Sequence, residues 1–277
     1  MIGQRKIQRY LTDLIATDML PRFCILTGER GSGKKLLCKW LAEQLRCPIM
    51  MCDSGVDSVR EVIEHAYTIT SPVLYVFADA DNMSIGAKNA LLKITEESPH
   101  NARFIMTLTD VENTLSTIRS RAFILHMDMY SDEEIIKYYH LTYGKGDEST
   151  MQSYCTTLGD VDLLCSYNAK EFADYVVTVV DNIDKVSGSN SFKIGQRLDL
   201  GTDENKYDLA LFWKAFRVEC VRRLDKHPFK YGHGVSITCK YLDDLRLAGI
   251  NKQMCFDNWL LDIRESWMSY AEDNQTE

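Results

Sequence analysis

The most informative stretch of the sequence is Cys24-Ile25-Leu26-Thr27-Gly28-Glu29-Arg30-Gly31-Ser32-Gly33-Lys34-Lys35. Apolar residues run into Gly28 and a helical pattern follows Lys34, so the stretch predicts a strand, a glycine-rich loop and a helix. Its spacing, G-x-x-x-x-G-K, is that of a P-loop, in which glycines let backbone N–H groups approach a phosphate. The positive end of the following helix faces the same phosphate. The stretch therefore predicts a phosphate-binding site.

We expect the loop and the start of the helix to supply most of the binding residues. These are Gly28, Gly31, Ser32, Gly33, Lys34 and Lys35. Lys34 would reach the terminal phosphates, but the next position, where Ser or Thr normally holds Mg²⁺, is Lys35. A lysine cannot ligate a metal cation at neutral pH because its ammonium has no lone pair. The sequence therefore predicts a phosphate cradle without its usual metal anchor, and we assign no metal ligand.

The composition is that of a soluble globular protein. The 277 residues, 45% apolar and 26% charged, have room for two or three domains. A net charge of -8 argues against a protein that wraps DNA by charge alone, although it is compatible with a local basic face. No apolar run is long enough to span a bilayer, and residues 1–5 lack the apolar core of a signal peptide, so we expect a cytoplasmic protein without membrane contact. The nine cysteines form no C-x-x-C pair, so we expect reduced thiols and no zinc.

The hydrophobic pattern changes near Met127. Before it, short apolar runs alternate with helical patterns, which predicts a parallel sheet covered by helices on both faces. After it, the capping box Ser131-Asp132-Glu133-Glu134 opens a helix, and nearly all later periodicity is helical. The later long helices are predicted over 169–185, 206–225, 236–248 and 251–270, and polar loops or linkers over 187–191 and 201–205. The predicted domains are an α/β domain over 1–128, a helical domain over 129–168 and a helical C-terminal domain over 169–277.

The order of motifs in the first half resembles that of one family, the small AAA+ subunits of sliding-clamp loaders. The matching stretches are Ile2-Gly3-Gln4, Leu20-Pro21, the P-loop, Gly55-Val56-Asp57 with Val59-Arg60-Glu61, Ala80-Asp81-Asn82-Met83-Ser84, Asn89-Ala90-Leu91-Leu92-Lys93 with Glu96-Glu97, Phe104-Ile105-Met106-Thr107-Leu108-Thr109, and Ile118-Arg119-Ser120-Arg121. They occur in the family's order over roughly residues 2–125. In character the chain is most similar to the delta-prime subunit of bacterial DNA polymerase III, or to a phage or plasmid version of it. The family's cysteine-rich zinc insert is absent.

The resemblance implies a fold, a cofactor and partners. The fold would be an AAA+ P-loop α/β domain with a parallel five-stranded sheet, followed by a helical lid and an all-helical collar. The cofactor would be ATP or ADP, with the role of Mg²⁺ left open. Thr109, at the end of the family's sensor 1 strand, would join the nucleotide-binding residues. The partners would be other clamp-loader AAA+ subunits, and the sliding clamp and primed DNA through the assembled complex.

Several departures from the family pattern concern ATP hydrolysis. Ala78 occupies the position of the Walker B aspartate that orients Mg²⁺, and Asp79 that of the catalytic glutamate, with a side chain one methylene shorter. In an alternative register Asp79 would be the metal aspartate, but Asp81-Asn82-Met83 then fits badly. Asp162 stands where eukaryotic-type members carry the sensor 2 arginine. For Asp79 and Asp81, turn and cap chemistry at the end of a strand is the structural alternative. With Lys35, these changes imply that hydrolysis is slow or absent, because phosphoryl transfer needs metal and cation stabilisation.

Arg121 is the catalytic residue that the resemblance retains. In the family the corresponding arginine reaches a neighbouring subunit's ATP site as an arginine finger; the alternative here is a surface arginine in an ion pair. We therefore predict a non-hydrolysing or weakly hydrolysing clamp-loader subunit for DNA replication that supplies Arg121 in trans. An ATP-hydrolysing motor subunit that uses Asp79 is the alternative function. A small-molecule P-loop kinase is a further alternative, against which the loss of metal ligands argues.

Overall fold

The computed structural model describes residues 2–144, 146–185, 193–201 and 206–273. The chain forms two compact units, Met1–Tyr130 and Ser131–Glu277. The first contains the α/β elements, and the predicted domain bounds at 128 and 168, with the division of the second unit into a lid and a collar, stay predictions. The predicted linker at 187–191, and residues 202–205 of the other, lie outside the described residues.

The first unit is a single parallel sheet with helices on both faces. Its strands are β1 (Phe23–Thr27), β2 (Ile49–Cys52), β3 (Val73–Phe77), β4 (Ala102–Leu108) and β5 (Phe123–His126). Its helices are α1 (Arg5–Ala16), α2 (Lys34–Leu45), α3 (Val56–Thr68), α4 (Ile85–Glu96) and the short α5 (Ser116–Arg119). The strand order is β2-β3-β4-β1-β5 and every neighbouring pair is parallel, which confirms the predicted parallel five-stranded sheet of an α/β domain.

The strand order brings three strand ends to one edge of the sheet. Thr27 at the end of β1 pairs with Leu108 of β4, and Phe77 at the end of β3 pairs with Met106 of β4. The segments that follow β1, β3 and β4 therefore begin close together. In an open parallel sheet, ligands bind at the carboxyl edge for this reason.

Two apolar layers bury the sheet. Phe23 and Ile25 of β1 belong to the layer shared with α3 and α4, whereas Cys24 and Leu26 belong to the layer shared with α1 and α2. Because successive side chains of a strand point to opposite faces, a strand covered on both sides is apolar throughout. This explains the continuous apolar run before Gly28. Ser84 caps α4, accepting a hydrogen bond from the Ala87 N–H at 3.2 Å.

The second unit is predominantly helical. Its helices are α6 (Asp132–Tyr143), α7 (Glu148–Tyr154), α8 (Leu158–Ser166), α9 (Ala169–Asn182), α10 (Leu209–Val221), α11 (Pro228–Asp244) and α12 (Lys252–Asp273). The capping box of Ser131 and Glu134 is present at the start of α6. These observations confirm the predicted helical second half.

Two predicted helix boundaries are wrong. The helix predicted from 206 begins at Leu209, because Tyr207–Asp208 pairs with Leu198–Asp199 as a short parallel strand pair (β6 and β7) and Asp208 then caps the helix. The helix predicted from 236 begins at Pro228, because proline suits the first helical turn, where its missing N–H has no intrahelical partner.

Aromatic side chains form the core of the second unit. Trp213, Trp259 and Trp267 are each fully buried, and the Trp259 indole N–H donates to the Thr238 hydroxyl at 3.1 Å. The ring centroids of Phe216 and Trp259 lie 4.9 Å apart with the rings nearly perpendicular, a favourable aromatic geometry. The tryptophans are therefore core residues.

Buried polar bonds join α10 to the helices before it. The Lys214 ammonium lies 2.9 Å from a carboxylate oxygen of Asp160, and the Tyr154 hydroxyl donates to Glu219 at 2.8 Å. Glu219 also accepts from Arg222 and Arg223, and these hydrogen bonds hold its pKa below the usual value in spite of burial. The predicted lid and collar segments thus pack as one unit. No helix among the described residues has the length and apolarity required to cross a bilayer.

One leucine and one isoleucine on α4 test the assignment of its buried face. Leu91 is fully buried, whereas Ile85 is 70% exposed. Leu91→Ala is expected to lower the free energy of unfolding by about 2–5 kcal/mol, because it removes buried apolar contacts and leaves a cavity. Ile85→Ala is expected to change it by no more than about 0.5 kcal/mol. Urea denaturation followed by circular dichroism measures both, and equal effects would contradict the assigned face.

Candidate functional site

The P-loop connects β1 to α2 in a backbone conformation that requires glycine. Gly31 and Gly33 have φ angles of 77° and 88°, in the left-handed region that favours glycine. A Cβ atom at Gly33 would lie 2.9 Å from the Tyr130 hydroxyl, and one at Gly28 would lie 2.7 Å from Cβ of Met127. At Gly28 and Gly33, a neighbouring side chain therefore leaves no room for a Cβ atom.

Tyr130 closes one side of the loop. Its buried hydroxyl donates a hydrogen bond to the Ser32 carbonyl at 2.9 Å. Sequence reasoning missed this contact, because nothing in the local pattern around Tyr130 indicates a partner so far away along the chain. The contact attaches Tyr130 to the loop backbone at the residue before Gly33.

The interior of the loop fits a phosphate. The Lys34 ammonium donates to the carbonyls of Gly28 and Glu29, at 2.6 and 2.9 Å. Burial lowers the pKa of Lys34, and the carboxylates of Asp79 and Asp81 oppose this shift. The buried Ser32 hydroxyl has no hydrogen-bond partner among the described residues, and it points toward Gly28, whose added Cβ would lie 3.2 Å from it. A buried cation and an unpaired buried donor are groups that a bound phosphate would satisfy.

The metal position holds an ion pair. Lys35, the second residue of α2, places its ammonium 2.6 Å from a carboxylate oxygen of Asp79, which follows β3. Their side chains are 55% and 63% exposed, so the pair faces solvent. The two departures from the family pattern thus contact each other directly.

The residues at this position do not fit Mg²⁺. Magnesium needs oxygen ligands in near-octahedral geometry, commonly one or two carboxylates together with phosphates and water. Here an ammonium replaces the hydroxyl, Ala78 offers no side-chain oxygen, and the Asp79 carboxylate is paired with Lys35. Within the described ranges, no three His, Cys, Asp or Glu side chains cluster as a metal site. At this position the chain places a lysine ammonium beside the Asp79 carboxylate.

Asp79 is held in place by its backbone. Its φ and ψ angles are 51° and 45°, a left-handed conformation that aspartate tolerates better than most residues. Its N–H donates to the Thr107 hydroxyl of β4 at 2.9 Å. The backbone of Asp79, from which its side chain extends, is therefore held at the end of β3.

Asp81 organises the segment after β4. It is buried, and one carboxylate oxygen accepts from the Thr109 N–H at 2.8 Å, from the Thr109 hydroxyl at 2.5 Å and from the Asn113 amide at 2.7 Å. The Lys88 ammonium donates to the Asp81 and Asn113 carbonyls at 3.2 and 2.5 Å. Thr109 is thus placed at the carboxyl edge of the sheet, where its predicted role in nucleotide binding stays a prediction.

Arg121 lies just after α5, away from the P-loop residues in the chain and paired within its own unit. Its guanidinium lies 3.0 Å from a carboxylate oxygen of Glu96 and donates to the Thr117 carbonyl at 2.9 Å. The side chains of Arg121 and Glu96 are 40% and 56% exposed.

Arg119 pairs with Glu112 on the same segment and is more buried than Arg121. Asp162, in the second unit, accepts hydrogen bonds from the hydroxyls of Tyr138 and Tyr143.

Comparison with known proteins links part of the chain to DNA polymerase III. The model of the family described as DNA polymerase III, delta subunit, matches residues 54–131. The chain is 26% identical over 169 residues to DNA polymerase III subunit gamma of Buchnera aphidicola subsp. Schizaphis graminum, which covers 50% of this chain and 47% of that protein. It is 30% identical over 152 residues to DNA polymerase III subunit gamma/tau of Mycoplasma genitalium, covering 43% of this chain and 25% of that one.

The resemblance to AAA+ clamp-loader subunits is confirmed. The chain spans about half the length, or less, of the curated relatives it matches. Among solved structures, a DNA polymerase III gamma subunit-related protein of Thermotoga maritima gives a TM-score of 0.48 at 16% identity, covering 93% of this chain and 99% of that one. The RuvB Holliday junction branch migration motor of the same organism gives 0.49 at 16% identity, covering 80% and 76%. These two likenesses are too remote to bear on function.

The α/β unit brings most of the predicted site residues together. The six loop residues surround the predicted phosphate position, Asp79 joins them through Lys35, and Asp81 places Thr109 at the same sheet edge. Arg121 contacts Glu96 and the Thr117 carbonyl instead of this group, and its role in trans stays a prediction. The residues that sequence reasoning missed are Tyr130, which braces the loop, and Glu96, which pairs with Arg121.

The Asp81 carboxylate is expected to matter for stability. Asp81→Asn should lower the free energy of unfolding by about 1.5–3 kcal/mol, because an amide weakens charge-assisted bonds that a buried carboxylate accepts. Asp57→Asn, on an exposed side chain of α3, is the matched control and should have little effect. Chemical denaturation measures both variants. Equal stability of the two would show that Asp81 does not hold this segment.

Proposed function

We propose that the chain is a sliding-clamp-loader subunit that hydrolyses ATP weakly or not at all and completes the ATP site of a neighbouring subunit with Arg121. The observation that carries this proposal is the contact between Lys35 and Asp79. It engages the one acidic side chain that remains at the catalytic position. The family relationship of the first half supports the clamp-loader setting.

The ion pair argues against hydrolysis in this chain's own site. Phosphoryl transfer in P-loop proteins depends on a metal that bridges phosphate oxygens and on a residue that orients the attacking water. Lys35 and Ala78 remove two expected metal ligands, and Asp79 points its carboxylate at Lys35. Losses of this kind cost several orders of magnitude in rate.

The environment of Arg121 is compatible with action in trans. A partly exposed ion pair contributes about 0–1 kcal/mol, so Arg121 can exchange Glu96 for a phosphate at little cost. Its planar guanidinium can donate two parallel hydrogen bonds to phosphate oxygens, which a lysine cannot do. The contact with the Thr117 carbonyl keeps the side chain near the end of α5. These contacts support a role for Arg121 at a neighbouring nucleotide.

The finer features of the proposal follow the resemblance. The chain would be a stator-type subunit similar to delta-prime, working in the cytoplasm of a bacterium or of a phage-infected cell. Its partners would be other clamp-loader AAA+ subunits, and through them the sliding clamp and primed DNA. The fit of Ser32 and Lys34 to a phosphate supports ATP or ADP as a bound cofactor.

An ATP-hydrolysing motor subunit is the second candidate, because the phosphate cradle is intact. In that case Asp79 would leave Lys35 and orient water. ATP turnover by the chain that Lys34→Ala abolishes would favour the motor over the stator.

Arg121→Ala is expected to slow hydrolysis at the neighbouring site by about 10³-fold or more. The measurement is the ATPase rate of the reconstituted loader with clamp and primed DNA, using a loader in which only the ATP site next to this chain is competent. Arg121→Lys should be impaired as well, because it keeps the charge but loses the bidentate geometry.

Arg60→Ala is the matched control, since Arg60 is an exposed arginine paired with Asp57 on α3. It should leave the rate within about twofold of the unchanged loader, as expected for a surface pair. An Arg121→Ala loader that assembles and hydrolyses ATP at the same rate as the Arg60→Ala loader would contradict the proposed role of Arg121 at the neighbouring ATP site.

A further inference from the structure

The position of Lys35 has a consequence for the ligand of the P-loop itself. A metal ion at this position does two things for a bound nucleotide: it neutralises phosphate charge and it fixes the geometry of the phosphates. The Lys35 ammonium carries three N–H donors, and the bond to Asp79 at 2.6 Å uses one of them. The others remain for phosphate oxygens.

The pair is both positioned and accessible. Asp79 is fixed by its left-handed backbone and by the hydrogen bond from its N–H to Thr107, so it holds the ammonium at the carboxyl edge of the sheet. More than half of each side chain is exposed to solvent, so phosphate oxygens can reach Lys35 without displacing protein. Lys34 lies on the inner side, bonded to the loop carbonyls.

The unpaired Ser32 hydroxyl is an independent sign of a ligand. It is buried, points into the loop, and has no partner within the described residues. The first turn of α2 contains no acidic residue and has no side-chain cap, so its N–H groups also face the loop. The donors of this loop thus come from Ser32, two lysines and the helix N-terminus.

We infer that the ammonium of Lys35, held by Asp79, replaces Mg²⁺, so that the P-loop binds the diphosphate group of ADP or ATP as the metal-free anion. A divalent cation on the same phosphates would meet Lys35 at close range with like charge. Mg²⁺ therefore weakens binding here, whereas it strengthens binding to P-loops with a metal anchor. The inference rests on the P-loop alone and does not require the clamp-loader role.

The test is a titration of the purified full chain with ADP and with ATP, in EDTA and in excess Mg²⁺, by calorimetry. Ionic strength is kept equal, because added salt screens exposed charges. The unchanged chain is expected to bind more tightly in EDTA than in Mg²⁺, and equal or tighter binding in Mg²⁺ would contradict the inference. Binding that appears only with Mg²⁺, or no binding in either condition, would overturn the inference.

Lys35→Thr restores the hydroxyl that P-loops usually have and removes the ammonium. It is expected to weaken binding in EDTA by about tenfold or more, the loss of one charge-assisted hydrogen bond. Lys39→Thr makes the same change of charge one turn further along α2, at another exposed lysine, and should stay within about twofold of the unchanged chain. Lys35→Thr binding as tightly as Lys39→Thr in EDTA would contradict the role of Lys35.

Inorganic pyrophosphate carries the same diphosphate group without a nucleoside and is titrated separately. Binding of ADP in EDTA supports a nucleotide ligand. A chain that binds pyrophosphate but does not bind ADP would overturn the assignment of a nucleotide ligand. Because these titrations use the chain without other subunits, their failure is distinguishable from failure of the trans role of Arg121. A chain that binds no nucleotide could still stimulate its neighbour in the loader.

Discussion

Parallel pairing of the strands is the constraint on which the site depends. All five strands end at one edge, so the P-loop after β1, Asp79 after β3 and Thr109 after β4 come together although they are distant in the chain. The hydrogen bond from the Asp79 N–H to Thr107 and the bonds from Thr109 to Asp81 then tie neighbouring strand ends to each other. The strand order therefore determines which residues meet at the site. Contacts between neighbouring strand ends hold their side chains in place.

The sequence predicted those parts that depend on local pattern. The glycine spacing before Lys34 indicated the loop, and the apolar runs indicated buried strands. Ser131 indicated a helix start, because a capping contact joins residues only three positions apart. The start of α11 at Pro228 was also visible in principle, since proline favours the first turn of a helix. It was missed because apolar periodicity becomes clear only later in that helix.

The remaining features depend on contacts that no local pattern encodes. Lys35 and Asp79 were each recognisable as departures from a family pattern, but their pairing follows from the strand order and from the left-handed backbone of Asp79. The same holds for the hydrogen bond from Tyr130 to Ser32 and for the pairing of Arg121 with Glu96. Residue types indicated the chemistry of the site, and the fold decided which of them meet.

The contact between Lys35 and Asp79 also bears on how the chain can evolve. Replacing Lys35 by threonine alone would leave Asp79 facing the phosphates without a cation, and an acid added at Ala78 alone would compete for the same ammonium. Recovery of a metal-dependent site thus requires changes at more than one position, each unfavourable before the others are present. If the proposed function holds, a lineage that has acquired this ion pair therefore differs from one that has lost a single catalytic residue, because no single substitution would restore the metal site.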